Sequence, residues 1–396
     1  MSIGSHLRGV LMSELRFVTA GESHGPCLTA VLEGLPAGLP IDLEAVDADL
    51  ARRQQGYGRG GRMKIERDRA EILSGVRFGE TIGSPVTLRV VNRDWENWKD
   101  RMSAMGEPVG EKVTAARPGH ADLTGYRKYA RRDIRDILER SSARETAMRV
   151  AVGAVCKQFL KAFGVEVVSH VVNIGGVSVD LSGIDRSCIG ETDSDLNCYD
   201  RAAEEEMKER IRSAKEAGDT LGGIFEVIAR GVPIGLGSHI QWDRRLDAKL
   251  AGAMMSIQAI KGVEIGEGFA CAGLPGSKVH DEIYLDSEGH ACRRTNRAGG
   301  LEGGMSNGED IVLRAVMKPI PTLMAPLHSV DVEEWKEVLA CKERSDTCAV
   351  SAASVVGEAM TAFVVAQALC EKFGGDAMVD VLSAFRAYDE RVREAR

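Results

Sequence analysis

The clearest pattern in the sequence is a set of short apolar runs, several of which alternate hydrophobic and polar positions. Alternation with a period of two predicts β-strands that bury one face. Such strands are predicted at residues 27–32, 85–91, 165–172, 224–229 and 311–317, and a further apolar run covers residues 15–18. The chain is therefore expected to contain extended sheet structure.

Longer segments place apolar residues at helical spacing. Helices are predicted at residues 41–54, 127–163, 201–217, 351–373 and 378–396. Asp42 is a suitable N-cap for the first, and Gly164 is a natural stop for the second. The third is charged on almost every side and is expected on the surface. Helices and strands alternate irregularly, unlike the βαβα order of a doubly wound sheet.

Residues 349–370 are apolar enough to raise the question of a membrane span. Glu358 lies near the middle of this stretch, with serine, threonine and glutamine around it. A charge at the centre of a bilayer is costly. The segment is therefore predicted to be a buried helix, and no membrane partner is expected.

The composition is that of a soluble globular protein, with 396 residues, 44% hydrophobic and 28% charged. The net charge of -8 argues against general nucleic-acid binding. Nine cysteines without a CxxC pair suit reduced thiols in the cytoplasm. Residues 1–12 are interpreted as a dispensable, disordered N-terminal extension. Residues 13–396 are interpreted as one domain.

A loop rich in arginine and glycine follows the first predicted helix, at residues 52–62 (RRQQGYGRGGR). Guanidinium groups on a flexible backbone can converge on a phosphate or a carboxylate. An RNA-binding segment of the RGG type and a solvated loop are the alternatives. The RNA interpretation is weakened because the motif occurs once, within an acidic chain.

Two histidines lie in predicted turns, at residues 21–25 (GESHG) and 117–122 (RPGHAD). Histidine is the side chain best suited to proton exchange near neutral pH. Taken alone, each turn is explained equally well by a structural role.

Other polar segments are weaker signals individually. Residues 139–146 (ERSSARET) interrupt a helical pattern, so that Ser141 or Ser142 could cap the helix that follows. Loops at residues 256–262, 299–308, 318–322 and 344–346 each combine flexible backbone with polar side chains. P-loop, nucleophile-elbow and zinc-site motifs are missing from the sequence, so no metal site is predicted.

Together and in this order, these segments resemble the chorismate synthase family, from about residue 15 to residue 358. GESHG, GYGRG, RPGHAD, SSARET, SIQAIKGVEIG, GGLEGGMSNG, KPIPT and the RSD triplet at 344–346 all match familiar stretches. The resemblance implies an α+β fold, a β-α-β sandwich with helices packed between antiparallel sheets. It also implies elimination of phosphate from 5-enolpyruvylshikimate 3-phosphate to give chorismate, with reduced FMN and no net redox change.

The resemblance also implies roles for individual residues. The catalytic set is His24, His120 and Asp346. Arginines expected to bind the substrate, or matching positions associated with NADP in the family, are Arg53, Arg59, Arg117 and Arg144. Contacts to FMN are expected from Arg140, Ser141, Ser142, Gln258, Ala259, Gly303, Lys318, Pro319, Ile320, Pro321, Thr322 and Arg344.

The expected partners follow from the same resemblance. We expect a homotetramer of the monofunctional bacterial type, which takes reduced FMN from a separate flavin reductase and uses NADPH only indirectly. A different class of enzyme, an NADPH-dependent flavin oxidoreductase, is the alternative. It predicts net consumption of NADPH, whereas the elimination releases phosphate without stoichiometric use of a reductant.

Overall fold

The structure is a computed structural model that describes residues 15–60, 66–182, 184–190, 193–343 and 345–394. The interpretation of residues 1–12 as an extension falls outside these ranges. That interpretation and the single-domain boundary therefore stay predictions.

The strands occur between residues 16 and 339 of the described chain. In chain order they are β1 (Arg16–Ala20), β2 (Cys27–Glu33), β3 (Ala70–Ser74), β4 (Val76–Arg77), β5 (Glu80–Thr81), β6 (Val86–Val91), β7 (Glu166–Ile174), β8 (Val177–Ser178), β9 (Gly223–Arg230), β10 (Ile260–Ile265), β11 (Ile283–Leu285), β12 (Ala291–Arg293), β13 (Leu301–Glu302), β14 (Met305–Ser306), β15 (Ile311–Met317), β16 (His328–Asp331) and β17 (Lys336–Leu339).

The helices lie between groups of strands. They are α1 (Leu43–Gln54), α2 (Asp122–Lys128), α3 (Arg135–Ser141), α4 (Thr146–Lys161), α5 (Arg201–Glu216), α6 (Leu246–Met255), α7 (Gly276–Val279), α8 (Val350–Phe373) and α9 (Met378–Glu394). Asp42 caps α1 through its side chain, which accepts from the backbone N–H groups of Glu44 and Ala45.

Two antiparallel sheets form the outer layers. One has the strand order β1-β2-β6-β3 and the other β10-β15-β9-β7-β8. Alternate residues of β2 are buried, including Leu28, Ala30 and Leu32, because one face of this sheet covers the helices. The strands predicted from alternation are confirmed, with ends that differ by one or two residues.

Helices α4 and α8 lie between the sheets and form the centre of the core. Helix α4 contacts β2 and β6 on one side and β7 on the other, whereas α8 contacts β7 and β9. Gly153 allows the two helices to approach closely, since a Cβ there would lie 2.3 Å from the Cβ of Ala359. This arrangement confirms the predicted α+β fold with helices between antiparallel sheets.

Helix α8 is the apolar segment that raised the membrane question. It is the one helix in the described ranges long and apolar enough to cross a bilayer, and most of it is enclosed by protein. Glu358 is fully buried and accepts hydrogen bonds from Arg52 and Ser169. The prediction of a buried helix is confirmed.

The predicted long helix at residues 127–163 was wrong. The chain there forms α2, α3, a 3-10 turn at Ala143–Glu145 and then α4. Ser142 has an extended backbone (φ -63°, ψ 139°), and its side chain accepts from the N–H of Arg144. The serine thus competes with helical hydrogen bonding, as serine commonly does. Ser142 therefore caps the 3-10 turn that leads into α4, whereas α4 itself begins after Glu145 without a side-chain cap.

Candidate active site

A cavity of about 540 Å³ opens where several loops meet the N-terminal ends of α4 and α8. Its walls come from the loop between β1 and β2, the end of α1, the segment at residues 117–121, the turn before α4, and the loop after β15. This volume falls within the range of small-molecule sites, roughly 300–1,000 Å³. The fold therefore gathers segments that are hundreds of residues apart.

His24 lies in the loop between β1 and β2 and is held from α3. Its Nδ1 is 2.9 Å from Oε1 of Glu139, and its backbone N–H donates to Oε2 at 2.8 Å. The ring stacks on Trp98, with the centroids 4.0 Å apart. Burial alone would raise the pKa of Glu139, but hydrogen bonding and charge from His24, with Arg135, lower it overall.

His120, in the segment at residues 117–122, is likewise held by a buried carboxylate. Its Nδ1 is 2.5 Å from Oδ1 of Asp122. This carboxylate is fully buried, and its Oδ2 accepts a hydrogen bond from Nε of Arg117 at 2.8 Å. Burial opposes ionisation of Asp122, but these two partners hold its pKa well below the usual range. The guanidinium of Arg117 also lies 3.0 Å from the same Nδ1. Because the ionised carboxylate can only accept, we assign the Nδ1 proton to the contact with Asp122.

Arg53 and Arg144 form a buried cationic wall. Nη1 of Arg144 donates to Asp68 at 2.6 Å, and Nη1 of Arg53 lies 3.4 Å from the same oxygen. Burial lowers the pKa of Arg53 to about 10. The positive charge of Arg144 also lowers this pKa, whereas the carboxylate of Asp68 raises it. Nη2 of Arg144 is buried and has no hydrogen-bond partner in the described residues, although it lies 3.8 Å from Oε2 of Glu66. Such a group is suited to an anion, because leaving it unsatisfied is costly.

Arg59 and Asp346 close another side of the cavity. Nε of Arg59 is 3.3 Å from Oδ2 of Asp346, and the N–H of Gly60 donates to Oδ1 at 2.6 Å. A side chain at position 60 would be tight, with a Cβ 3.0 Å from the carbonyl oxygen of Ser345. The glycine-rich loop thus brings its backbone directly against the carboxylate.

The remaining wall is largely apolar. Small residues of α8, including Ala352, Ala353 and Val356, face Ile257 and Ile320. Gln258 lies beside them, and its Oε1 is buried without a hydrogen-bond partner in the described structure. A flat aromatic group with polar edges would suit such a wall, since its ring would contact the alanines while an edge N–H met Gln258.

Most residues predicted for the site line this one cavity. They are His24, His120, Asp346, Arg53, Arg59, Arg117, Arg144, Ser141, Ser142, Gln258, Ala259, Lys318, Ile320, Pro321 and Thr322. Their proximity is observed, whereas the roles assigned to them stay predictions.

Three predicted residues lie outside the lining of this cavity, and a fourth is not among the described residues. Arg140 donates to the carbonyl oxygens of Gly21 and Thr19. It thus holds the loop between β1 and β2 that carries His24 (the histidine loop) from outside the cavity. Gly303 is in the turn between β13 and β14, and neither it nor Pro319 lines the cavity. Arg344 lies outside the described residues. The expected flavin contacts of these four residues stay predictions.

Sequence reasoning missed several residues that shape the site. Glu139 and Asp122 lie within the quoted segments ERSSARET and RPGHAD, but no role was assigned to them. For Asp122 the available signal was its place in the same motif as His120, and for Glu139 it was its place in a segment of charged and small polar residues. Asp68 and Trp98 had no such signal, because they are single residues in segments without a recognisable pattern.

The arginine-rich loop does not form an exposed basic strip in the part that the structure describes. Arg52 binds Glu358 through two nitrogens, at 2.8 Å and 2.6 Å, while Arg53 is buried and Arg59 faces the cavity. These arginines are thus engaged within the fold, which does not favour the RNA-binding alternative. In the same ranges no cluster of His, Cys, Asp and Glu is arranged to hold a metal ion.

Comparison with known proteins agrees with this geometry. The family model described as chorismate synthase matches residues 15–370. A chorismate synthase of Geobacter sulfurreducens is 60% identical over 390 residues, covering 96% of this chain and 99% of the relative. One of Aquifex aeolicus is 57% identical, with coverages of 96% and 98%.

A solved structure gives the same result at the level of the fold. A crystal structure of chorismate synthase aligns with a TM-score of 0.76 and 47% identity, covering 96% of this chain and 99% of that chain. The chain therefore belongs to the chorismate synthase family, a family of carbon–oxygen lyases.

Proposed function

We propose that this chain converts 5-enolpyruvylshikimate 3-phosphate to chorismate by 1,4-anti elimination. In this reaction the C–O bond to phosphate and one ring C–H bond break, and a new C=C bond forms. The observation that carries the proposal is the joint lining of one cavity by cationic side chains and two imidazoles. A substrate with one phosphate and two carboxylates requires several such cations in one place.

His24 is the proposed acid for the departing phosphate. Phosphate leaves more readily when it is protonated, and general acids of this kind contribute typically about 10²- to 10⁴-fold. The Nδ1 of His24 faces Glu139, so Nε2 is the nitrogen available to the ligand. Glu139 thereby directs the acidic proton of His24 away from α3.

Reduced FMN is the proposed cofactor, and when bound it would donate an electron transiently without net oxidation or reduction. The apolar wall of α8 and the unsatisfied Oε1 of Gln258 support a site for a flavin ring. His120 would place positive charge beside the anionic reduced ring. Asp346 would relay a proton at N5 of the flavin.

Further contacts to FMN are proposed for Ser141, Ser142, Ala259, and residues 318–322. Lys318 donates to the carbonyl oxygen of Gly119, so the loop after β15 is tied to the segment that carries His120. Arg53, Arg59, Arg117 and Arg144 are proposed to hold the anionic groups of the substrate. Gly303, Arg140 and Arg344 are retained as family-based expectations.

The remaining expectations concern the setting of the enzyme. We propose a cytoplasmic homotetramer that depends on a separate flavin reductase. Ile283 and Leu285 are exposed on the same face of β11, and this supports association with other copies, because neighbouring exposed apolar groups often mark interfaces. Light scattering should give a particle of four chains, and a monomer would contradict this expectation.

An anaerobic assay with chemically reduced FMN and the phosphorylated substrate tests the proposed reaction. We expect phosphate and chorismate in equal amounts, without consumption of stoichiometric reductant. A folded protein that releases no phosphate would refute the proposal. Consumption of NADPH in proportion to product would instead favour the flavin oxidoreductase.

Replacing Arg59 with glutamine tests the proposed binding of the substrate by the arginines of the cavity. Hydrogen bonds to charged groups are worth about 1.5–3 kcal/mol, so we expect kcat/KM for the substrate to fall by about 10- to 150-fold. Arg89→Gln is the matched control, because Arg89 is exposed on β6 and pairs with Glu71. Equal kinetics in the two variants would exclude Arg59 from substrate binding.

A further inference from the structure

Glu139 binds the histidine loop at three points. Its carboxylate accepts from the backbone N–H of His24 and from Nδ1 of the same residue, at 2.8 Å and 2.9 Å. Its backbone carbonyl accepts from the N–H of Ser23 at 3.0 Å. One residue of α3 thus fixes both the backbone and the imidazole of His24.

The ionisation of Glu139 decides which nitrogen of His24 carries a proton. Burial would raise the pKa of Glu139, but hydrogen bonding and charge outweigh burial and lower this pKa. The group is therefore a carboxylate at neutral pH. A carboxylate only accepts hydrogen bonds, and Nδ1 must therefore donate. Nε2 is then the atom that gains or loses a proton.

The ring plane of His24 is fixed by a second contact. Trp98 stacks on it with an interplanar angle of 27°, and Nε1 of Trp98 donates to Asp94 at 3.2 Å. Nη1 of Arg135 lies 3.3 Å from Oε1 of Glu139, which holds the carboxylate in turn. Rotation of the imidazole would break the stacking and the Glu139 contact together.

The charged groups around this ring come from several elements. They include Glu139 and Arg135 on α3, Asp94 and Arg101 around Trp98, and Glu343, which binds Arg135 at 3.1 Å. Both carboxylate oxygens of Glu139 lie within hydrogen-bond distance of Nδ1 of the imidazole, at 2.9 Å and 3.1 Å. Its negative charge therefore acts most directly on the protonated ring.

We propose that Glu139 is the positioning residue for His24, holding the Nδ1–H form so that Nε2 delivers the proton to the departing phosphate. The proposal rests on the proposed function for its catalytic consequence. In the step, the Nε2 proton of the imidazolium passes to a phosphate oxygen as the C–O bond breaks. His24 becomes neutral, with its remaining proton on Nδ1, while Glu139 stays ionised.

The decisive variant is Glu139→Gln, which keeps the shape and an acceptor oxygen but removes the charge. Its matched control is Asp136→Asn, on the same helix, where Asp136 binds the exposed Arg131 at 2.6 Å. The measurement is the 15N NMR spectrum of the neutral His24 imidazole, assigned by its loss in His24→Ala. The shifts of the two ring nitrogens report which one carries the proton, so the assay follows the tautomer of His24 without requiring turnover.

In the wild type we expect the proton on Nδ1, whereas in Glu139→Gln, whose amide can donate as well as accept, we expect a mixture of the two tautomers. The kcat value should fall in Glu139→Gln while the KM value for the substrate changes little, because proton delivery is impaired and the substrate contacts are kept. Asp136→Asn should match the wild type in both measurements. Identical ring-nitrogen shifts in Glu139→Gln and the wild type would overturn the proposal, even if the wild type released no phosphate and the proposed function had failed separately.

Discussion

Replacement of His24 or of His120 by alanine is expected to slow turnover by about 10²- to 10⁴-fold, while FMN still binds. Each imidazole lines the cavity and is held by a buried carboxylate, so its loss removes proton transfer or positive charge at a defined place. Anaerobic single-turnover kinetics with reduced FMN would measure the rate, and flavin fluorescence titration would measure binding.

His290→Ala is the control for these two variants. His290 is half exposed and lies outside the cavity lining, in the hairpin of β11 and β12. Its replacement should leave turnover unchanged. A normal rate in His24→Ala or His120→Ala would remove that residue from the mechanism.

The second large effect concerns stability. Replacement of Glu358 by alanine is expected to lower the free energy of unfolding by about 3 kcal/mol, as for removal of one partner of a buried ion pair. Glu358 is fully buried and binds Arg52, Lys157 and Ser169, so α1, α4, α8 and β7 all meet at its carboxylate. Urea denaturation with an unchanged m-value would measure the loss.

Glu371→Ala provides the matched control on the same helix. Glu371 binds Lys249 at 2.6 Å in a partly exposed pair, which should contribute less than about 1 kcal/mol. If both variants were equally stable, the buried network would not hold the helices together.

The same carboxylate predicts a dependence on pH. Burial alone would raise the pKa of Glu358, but Lys157 and Arg52 hold it well below its ordinary value of 4.5. A lowered folded-state pKa contributes stability above the unfolded value, and this contribution is lost as pH falls through the folded value. Glu358→Gln should therefore lose less stability than the wild type as the pH falls below about 4.5.

Much of the fold was accessible from local sequence patterns. The period-two runs predicted strands of both sheets, and Asp42 marked the start of α1, because each pattern reports burial or capping within a few residues. Helix α6 (Leu246–Met255) was not predicted. Its buried residues Leu246, Leu250 and Met254 follow the helical period, but Ala248, Ala251, Ala253 and Met255 lie between them, so apolar residues on every side hide this period in the sequence.

The broken helix at residues 127–163 shows where local patterns fail. Its residues favour a helix individually, yet Ala130 has a positive φ of 50° and Ser142 is extended. The break brings Glu139 against the histidine loop and places Arg144 beside Asp68. These contacts join residues far apart in the chain, and no periodicity within a single segment could indicate them.

The site was predicted mainly from its motifs, and its architecture was not. GESHG and RPGHAD identified the two histidines, but nothing local indicated that Trp98 would stack on His24 or that Asp68 would pair with Arg144. The turn at Gly303 was expected in the site but does not line the cavity. Which loops meet is determined by the packing of α4 and α8 between the sheets.

The central claim is that one cavity holds the phosphorylated substrate and the flavin together. A crystal structure of the chain with FMN and 5-enolpyruvylshikimate 3-phosphate tests this most directly. The account predicts the phosphate within about 2.6–3.2 Å of Nε2 of His24, the substrate carboxylates on the arginines, and the flavin ring against α8 near Gln258. Ligands bound elsewhere, or a phosphate far from His24, would contradict it.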